Sequence, residues 1–106
     1  MLKQQIFGYV KKMKGNVSFV ELQKQFPQIK GEFDYAQTEY SLWFWWNVTE
    51  EFITAINELI LENKIYFKLC EPLIYIGDGV IINYPVAKEF KRYESPHWYP
   101  MVFSVL

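Results

Sequence analysis

The sequence predicts an α+β domain, a winged helix-turn-helix with three helices and a C-terminal β-hairpin wing; the alternative is an α+β domain of another topology, since the connection between the second and third helices is longer than the usual tight turn. Three observations carry this expectation. Two amphipathic helical patterns fill the first 26 residues, and a longer one follows Asn47. From Ile65 the period changes from helical to alternating. A chain of 106 residues supports one core and is too short for two.

The first helix is read from Leu2, Ile6, Tyr9, Val10 and Met13, which recur on one side, with Gln4, Lys11 and Lys12 on the other. Gly15-Asn16 supplies a helix stop. In "VSFVELQKQF" Ser18 is placed to cap the second helix while Glu21 reaches back, and Val17 can staple onto Leu22. Phe19, Leu22 and Phe26 then point inward, and Pro27 ends the run. Residues 28–39 are polar, contain Gly31, and read as a loop.

"YSLWFWW" reads as a strand by its aromatic content. In extended backbone Trp43 and Trp45 share one face and Leu42, Phe44 and Trp46 the other. The second set is the more uniformly apolar, which assigns it to the core and leaves Trp43 and Trp45 accessible; the other reading has the tryptophans plug the core beneath the long loop. Asn47-Val48-Thr49-Glu50 offers a cap for the third helix, "EEFITAINELILENK", whose buried side is Phe52, Ile56, Leu59 and Ile60. "IYFKLC" alternates, with Tyr66 and Lys68 on one face. Glu71-Pro72 turns the chain into "LIYI", and Gly77-Asp78-Gly79 turns it again into "VIINY". On this pattern residues 1–90 form the winged-helix domain. Residues 91–106 form an extended Pro/aromatic tail, since Pro96 and Pro100 forbid a helix there.

Composition narrows the function. Aromatic residues make up 20% of the chain, and a core this small cannot enclose 21 large rings, so several belong at the surface or in a pocket. The single cysteine, Cys70, permits no internal disulfide and suits a cytoplasmic protein. "MLKQQIFGYVKKMK" lacks the pattern of a signal peptide, and no apolar run reaches the length of a membrane span, so no membrane partner is expected. The Asn47-Val48-Thr49 glycosylation match is idle without a secretory signal. Net charge is −1 but unevenly spread: residues 1–30 carry +5, residues 31–63 carry −7 with no lysine or arginine, and residues 64–106 carry +1.

Signatures of catalysis are sparse. His97 is the only histidine, so no metal site of the two-histidine kind can form, and neither a metal nor another cofactor is expected. Cys70 and His97 would meet only by tertiary accident, and no Gly-rich phosphate loop is present. The expectation is a protein that is not an enzyme.

Double-stranded DNA is disfavoured as well. The third helix of a winged helix enters the major groove, and here it would bring Glu50, Glu51, Glu58 and Glu62 against phosphates. Single-stranded DNA needs only π-faces and a modest cationic track. The candidate binding residues are Trp43, Trp45 and Tyr66 for stacking, with Lys68, Lys11, Lys12 and Lys14 for phosphate contacts. Extended Pro/aromatic segments are typical ligands for grooves on other proteins. Trp98 and Phe103 of "PHWYPMVF" are therefore candidate partner-binding residues, for instance toward replication proteins; the other reading folds them back over an apolar face of the domain.

The stretches "NVSFVEL", "FWWNVTEEFITAINELILENKI", "YPVAKEF" and "PHWYPMVF" resemble a family of small proteins carried by staphylococcal mobile elements, such as cassette chromosomes, pathogenicity islands and prophages. The resemblance spans most of the chain. It implies a winged-helix fold and, for members encoded beside replication genes, single-stranded DNA binding in replication or maintenance of the element. The rival expectation is a protein-interaction module, or an inhibitor of a host or phage factor, using the aromatic surface and the acidic helix.

Overall fold

A computed structural model describes residues 1–79 and 81–105 of the protein. Its helices are α1 (Leu2–Lys12), α2 (Phe19–Gln25), α3 (Glu50–Leu61) and the one-turn α4 (Leu73–Ile76). Its strands are β1 (Val17–Ser18), β2 (Lys30–Gln37), β3 (Leu42–Val48), β4 (Ile65–Leu69), β5 (His97–Trp98) and β6 (Met101–Val105). The strands form two three-stranded sheets, ordered β1-β6-β4 and β2-β3-β5. The protein is α+β.

The helices follow local chemistry. Leu2, Ile6 and Val10 bury one side of α1, while Lys11 and Lys12 occupy its last turn, where the helix dipole favours cations. Ser18 caps α2 as expected: its hydroxyl accepts the Glu21 amide at 3.1 Å, and the Glu21 carboxylate reaches back to the Ser18 amide at 3.4 Å. Thr49 accepts the Phe52 amide at 3.1 Å to start α3, with Glu50 and Glu51 in the first turn.

The strands depart from expectation in three places. Residues 30–37, read as loop, form β2 antiparallel to β3. The strand is an edge with repeated register irregularities, and only Tyr35 is buried, so no alternation marks it in the sequence. "LIYI" is a helical turn rather than a strand. Pro72 precedes it, and only Tyr75 of its four residues faces the core, which is a helical pattern compressed into one turn. Ile81–Tyr84 form no strand, and Val80 lies outside the described residues.

The largest correction concerns the tail. The proline pattern places residues 91–106 outside the domain, yet β6 lies between β1 and β4 and pairs antiparallel with both. Trp98 is 2% exposed and Phe103 0%, so neither is available as a ligand for a partner. The prolines that forbid a helix leave His97–Trp98 and Met101–Val105 extended, and apolar residues on both faces of 101–105 suit a central strand. The alternative reading, in which the tail folds back, describes the structure.

The core joins both sheets at Phe19. Its ring stacks on Trp45 at 5.6 Å and meets Phe103 edge-on at 5.2 Å. Beside it the buried Tyr75 hydroxyl accepts the Phe19 amide at 3.0 Å and donates to the Met101 carbonyl at 2.7 Å. One oxygen thus satisfies an otherwise orphaned amide at the start of α2 and ties it to β6. The Tyr75 ring packs against Trp45 and Trp98. The indole N–H groups of these two tryptophans are buried without a hydrogen-bond partner among the described residues, a desolvation cost that the ring packing must outweigh.

Two outcomes follow. Tyr75→Phe leaves two buried backbone groups unpaired and should lower stability by about 2–3 kcal/mol in urea titration. Ending the chain after Glu94 removes the central strand and should abolish the cooperative thermal transition, since losing several buried apolar side chains at about 1.5–3 kcal/mol each consumes a stability of about 5–15 kcal/mol.

Candidate nucleic-acid interface

The outer face of the β1-β6-β4 sheet gathers part of the expected binding set. Tyr66 and Lys68 alternate with the buried Ile65 and half-buried Phe67, so both project away from the core, and Tyr66 is 39% exposed. Their cross-strand partners on β6, Ser104 and Val102, share that face but are buried, so the face is open only along the edge strand β4.

The turn after α1 is held against the same face. Lys14, Gly15 and Asn16 have φ of 61°, 94° and 57°, three successive left-handed residues. The Asn16 amide donates to the Ser104 hydroxyl at 3.0 Å. A Cβ on Gly15 would sit 2.7 Å from that hydroxyl, so only glycine allows both the backbone conformation and the close approach. Strained backbone of this kind persists where surroundings fix it. It holds Gly15 and Asn16 against Ser104, with the exposed Lys14 immediately before them in the chain.

A groove of about 640 Å³ opens at one end of this face, lined by Asn16, Lys68, Cys70, Glu71, Val86 and Lys88 among others. Lys88 is brought there by backbone bonds to β5: the Ala87 amide donates to the Trp98 carbonyl at 2.7 Å, and the Trp98 amide donates to the Pro85 carbonyl at 2.9 Å. Sequence reasoning missed Lys88 and Asn16. The only signal for Lys88 was its place in "YPVAKEF", and nothing local tells that this segment crosses to Trp98.

The lysines divide into two groups. Lys3, Lys24, Lys64 and Lys91 each pair with a carboxylate. Among the described residues Lys11, Lys12, Lys14, Lys30, Lys68 and Lys88 have no such pair. Lys3 reaches across to Glu58 and Glu62 of the α3 end, and its hydrogen bond to Glu62 holds that carboxyl below its ordinary range.

Trp43 and Trp45 do not join this face. Trp45 is 1% exposed, which corrects its assignment as an accessible indole. Trp43 is half-buried, its indole N–H donating to Asp34 at 3.1 Å and its ring edge-on to Tyr84. Trp46, expected in the core, is half-buried too. The alternation rule fails here because β3 is the central strand of its sheet and is covered on both sides. Trp45 packs against Phe19 and Tyr75 on one side, and Phe44 against Tyr35, Phe90 and Tyr99 on the other.

The residues considered for chemistry are occupied otherwise. Burial, and secondarily Glu71, pushes the Cys70 thiol up to about 11, so it stays protonated at neutral pH. The His97 ring stacks on Tyr93, with Nδ1 2.8 Å from the Ser95 carbonyl. Among the described residues no group of three or more His, Cys, Asp or Glu could hold a metal ion. No helix among them is long and apolar enough to cross a membrane. Compared with known proteins, the chain matches no family model, no curated protein and no solved structure.

The two tryptophans should separate cleanly. Trp45→Ala should lower stability by about 3–5 kcal/mol, as for other buried aromatic truncations, whereas Trp43→Ala should lose clearly less. Equal losses in denaturant titration would contradict the difference in burial.

Proposed function

We propose that this protein binds single-stranded DNA without catalysing a reaction, along the β4 edge of the β1-β6-β4 sheet. The observation that carries the reading is a groove lined by Lys68 and Lys88, which pair with no carboxylate among the described residues, with the exposed Tyr66 on the same face of β4 as Lys68 and Lys14 two residues before the lining residue Asn16. An aromatic face supplies stacking to any base, and the lysines meet the phosphates on either side. Lys11 and Lys12 extend the track toward α1. Trp45, Trp98 and Phe103 leave the binding set.

A winged-helix variant is the architecture we infer. Supporting it are the order of α1, α2 and α3 before the antiparallel β4 and β6, and the addition of β1 to the same sheet. In this view the β2-β3 hairpin is an insertion between the second and third helices, and residues 70–100 take the place of a short wing tip. The exposed Glu50, Glu51 and Glu58 of α3 weigh against reading a duplex with that helix. The resemblance to proteins of mobile elements supports a cytoplasmic role in replication or maintenance of such an element. A thiol held protonated and a histidine held in a stack favour binding over catalysis.

Anisotropy titration with a labelled single-stranded oligonucleotide tests this. Tyr66→Ala should weaken binding by about 1–3 kcal/mol, the range for one stacked base. Lys68→Ala or Lys88→Ala should weaken it while flattening the salt dependence by about 0.7 in slope for each phosphate no longer neutralised. Duplex of the same sequence should bind less well. Absence of single-strand binding, or indifference to all three substitutions, would refute the assignment.

A further inference from the structure

Helix α3 carries more apolar surface than the core uses. Phe52, Ala55, Ile56 and Leu59 face inward and are buried. Ile53 and Ile60, half-buried against the core, and Leu61, 80% exposed, form a second stripe at i, i+7 and i+8, with the exposed Asn57 between them.

This second stripe walls a groove. The opposite wall is β2 from Asp34 to Gln37, and the enclosed volume is about 390 Å³. Asp34 and Ile53 also line an adjoining hollow of about 400 Å³ that reaches Phe33 and Glu50. The two make one trough along α3, bordered by the exposed rings of Phe33 and Phe90. From Ile53 to Leu61 it runs about 12 Å, two helical turns. Because β2 is an edge strand, no other strand of the described chain continues into the trough.

The charged residues that line it, Asp34 and Glu50, are both acidic. Residues 31–63 hold seven carboxylates and no lysine or arginine. Among the described residues Glu32, Asp34, Glu50 and Glu51 have no cation within ion-pair distance.

We propose that the trough between β2 and α3 docks an amphipathic helix of a partner protein, one whose apolar stripe is flanked by lysine or arginine. Apolar residues at i, i+4 and i+7 of that helix would fill the trough, with its cations meeting Asp34, Glu50 and Glu32. Charge complementarity selects this occupant. Nucleic acid is repelled by the same carboxylates. Among the described residues a second copy of the chain offers no basic helix with an open apolar stripe, because α1 has already buried its apolar residues Leu2, Ile6 and Val10 in its own core. The site is separate from the groove at Lys68 and Lys88, and its occupancy does not depend on DNA binding there.

The test uses the full chain and a synthetic peptide of about four helical turns with leucines at i, i+3, i+4 and i+7 and lysines elsewhere. Calorimetry and amide chemical-shift mapping should show binding centred on Phe33, Ile53, Leu61 and Phe90. Leu61→Ser, at an exposed position, should weaken it about tenfold, the loss of one apolar anchor. Glu50→Lys combined with Asp34→Lys should weaken it further, and a peptide with glutamates for lysines should not bind. Equal binding of a scrambled Leu/Lys peptide would reveal mere polycation adhesion and overturn the proposal. So would shifts centred elsewhere, displacement of these residues' signals by single-stranded oligonucleotide, or self-association that Leu61→Ser abolishes.

Discussion

The pairing of β6 between β1 and β4 is the constraint on which the rest of the molecule depends. It brings Phe103 onto Phe19 and the Met101 carbonyl onto the Tyr75 hydroxyl, closing the core. It also presents Ser104, the cross-strand partner of Tyr66, to the turn after α1, which fixes Asn16 there. The segment just before it, at Trp98, anchors Pro85 and Ala87 and so sets the place of Lys88. A surface assembled from residues 14–16, 66–68 and 88 therefore exists only after the last strand has docked. The pairings that build it join residues distant in sequence.

What was legible in the sequence was chemistry confined to a few neighbouring residues. Ser18 with Glu21 and Thr49 with Phe52 announce helix starts because the hydrogen bonds that make them span three residues. The exposed pair Tyr66 and Lys68 was legible because β4 alternates. β2 was not, since an irregular edge strand rich in glutamate and aspartate looks like loop until β3 is beside it. Trp45 was misplaced for a related reason. Alternation assigns faces only when one side of a sheet meets water, and β3 meets protein on both sides. The tail was the hardest, because proline exclusion of a helix says that the segment is extended but not what it pairs with.

The aromatic excess has a structural use beyond any surface role. Phe19, Trp45, Tyr75, Trp98 and Phe103 form a continuous cluster that joins two small sheets. Each sheet contains a strand of only two residues, β1 in one and β5 in the other, and large rings bury much apolar surface for little conformational entropy. The unpartnered indole N–H groups of Trp45 and Trp98 fit this picture: at these two positions size outweighs polarity. The rings that remain outside, Phe33, Tyr66, Tyr84 and Phe90, are those with no sheet–sheet junction to fill.

Charge separation explains why a net charge of −1 says little about what the protein can bind. At an ionic strength of 0.1 M, exposed charges more than about 10 Å apart are largely screened from each other. The molecule extends 36 × 28 × 28 Å, several screening lengths in each direction. The acidic groups Asp34 and Glu50 line the trough between α3 and β2, and Lys68 and Lys88 border a groove that shares no lining residue with that trough. Between them Lys3 bridges α1 to Glu58 and Glu62, which removes the one cation of α1 that could have blurred the acidic side. A ligand at either surface therefore meets mainly the charges of that surface. Lowering the salt concentration lengthens the screening distance and lets the two sides feel each other, so the carboxylates would then oppose an anion at Lys68 that they leave undisturbed at physiological ionic strength.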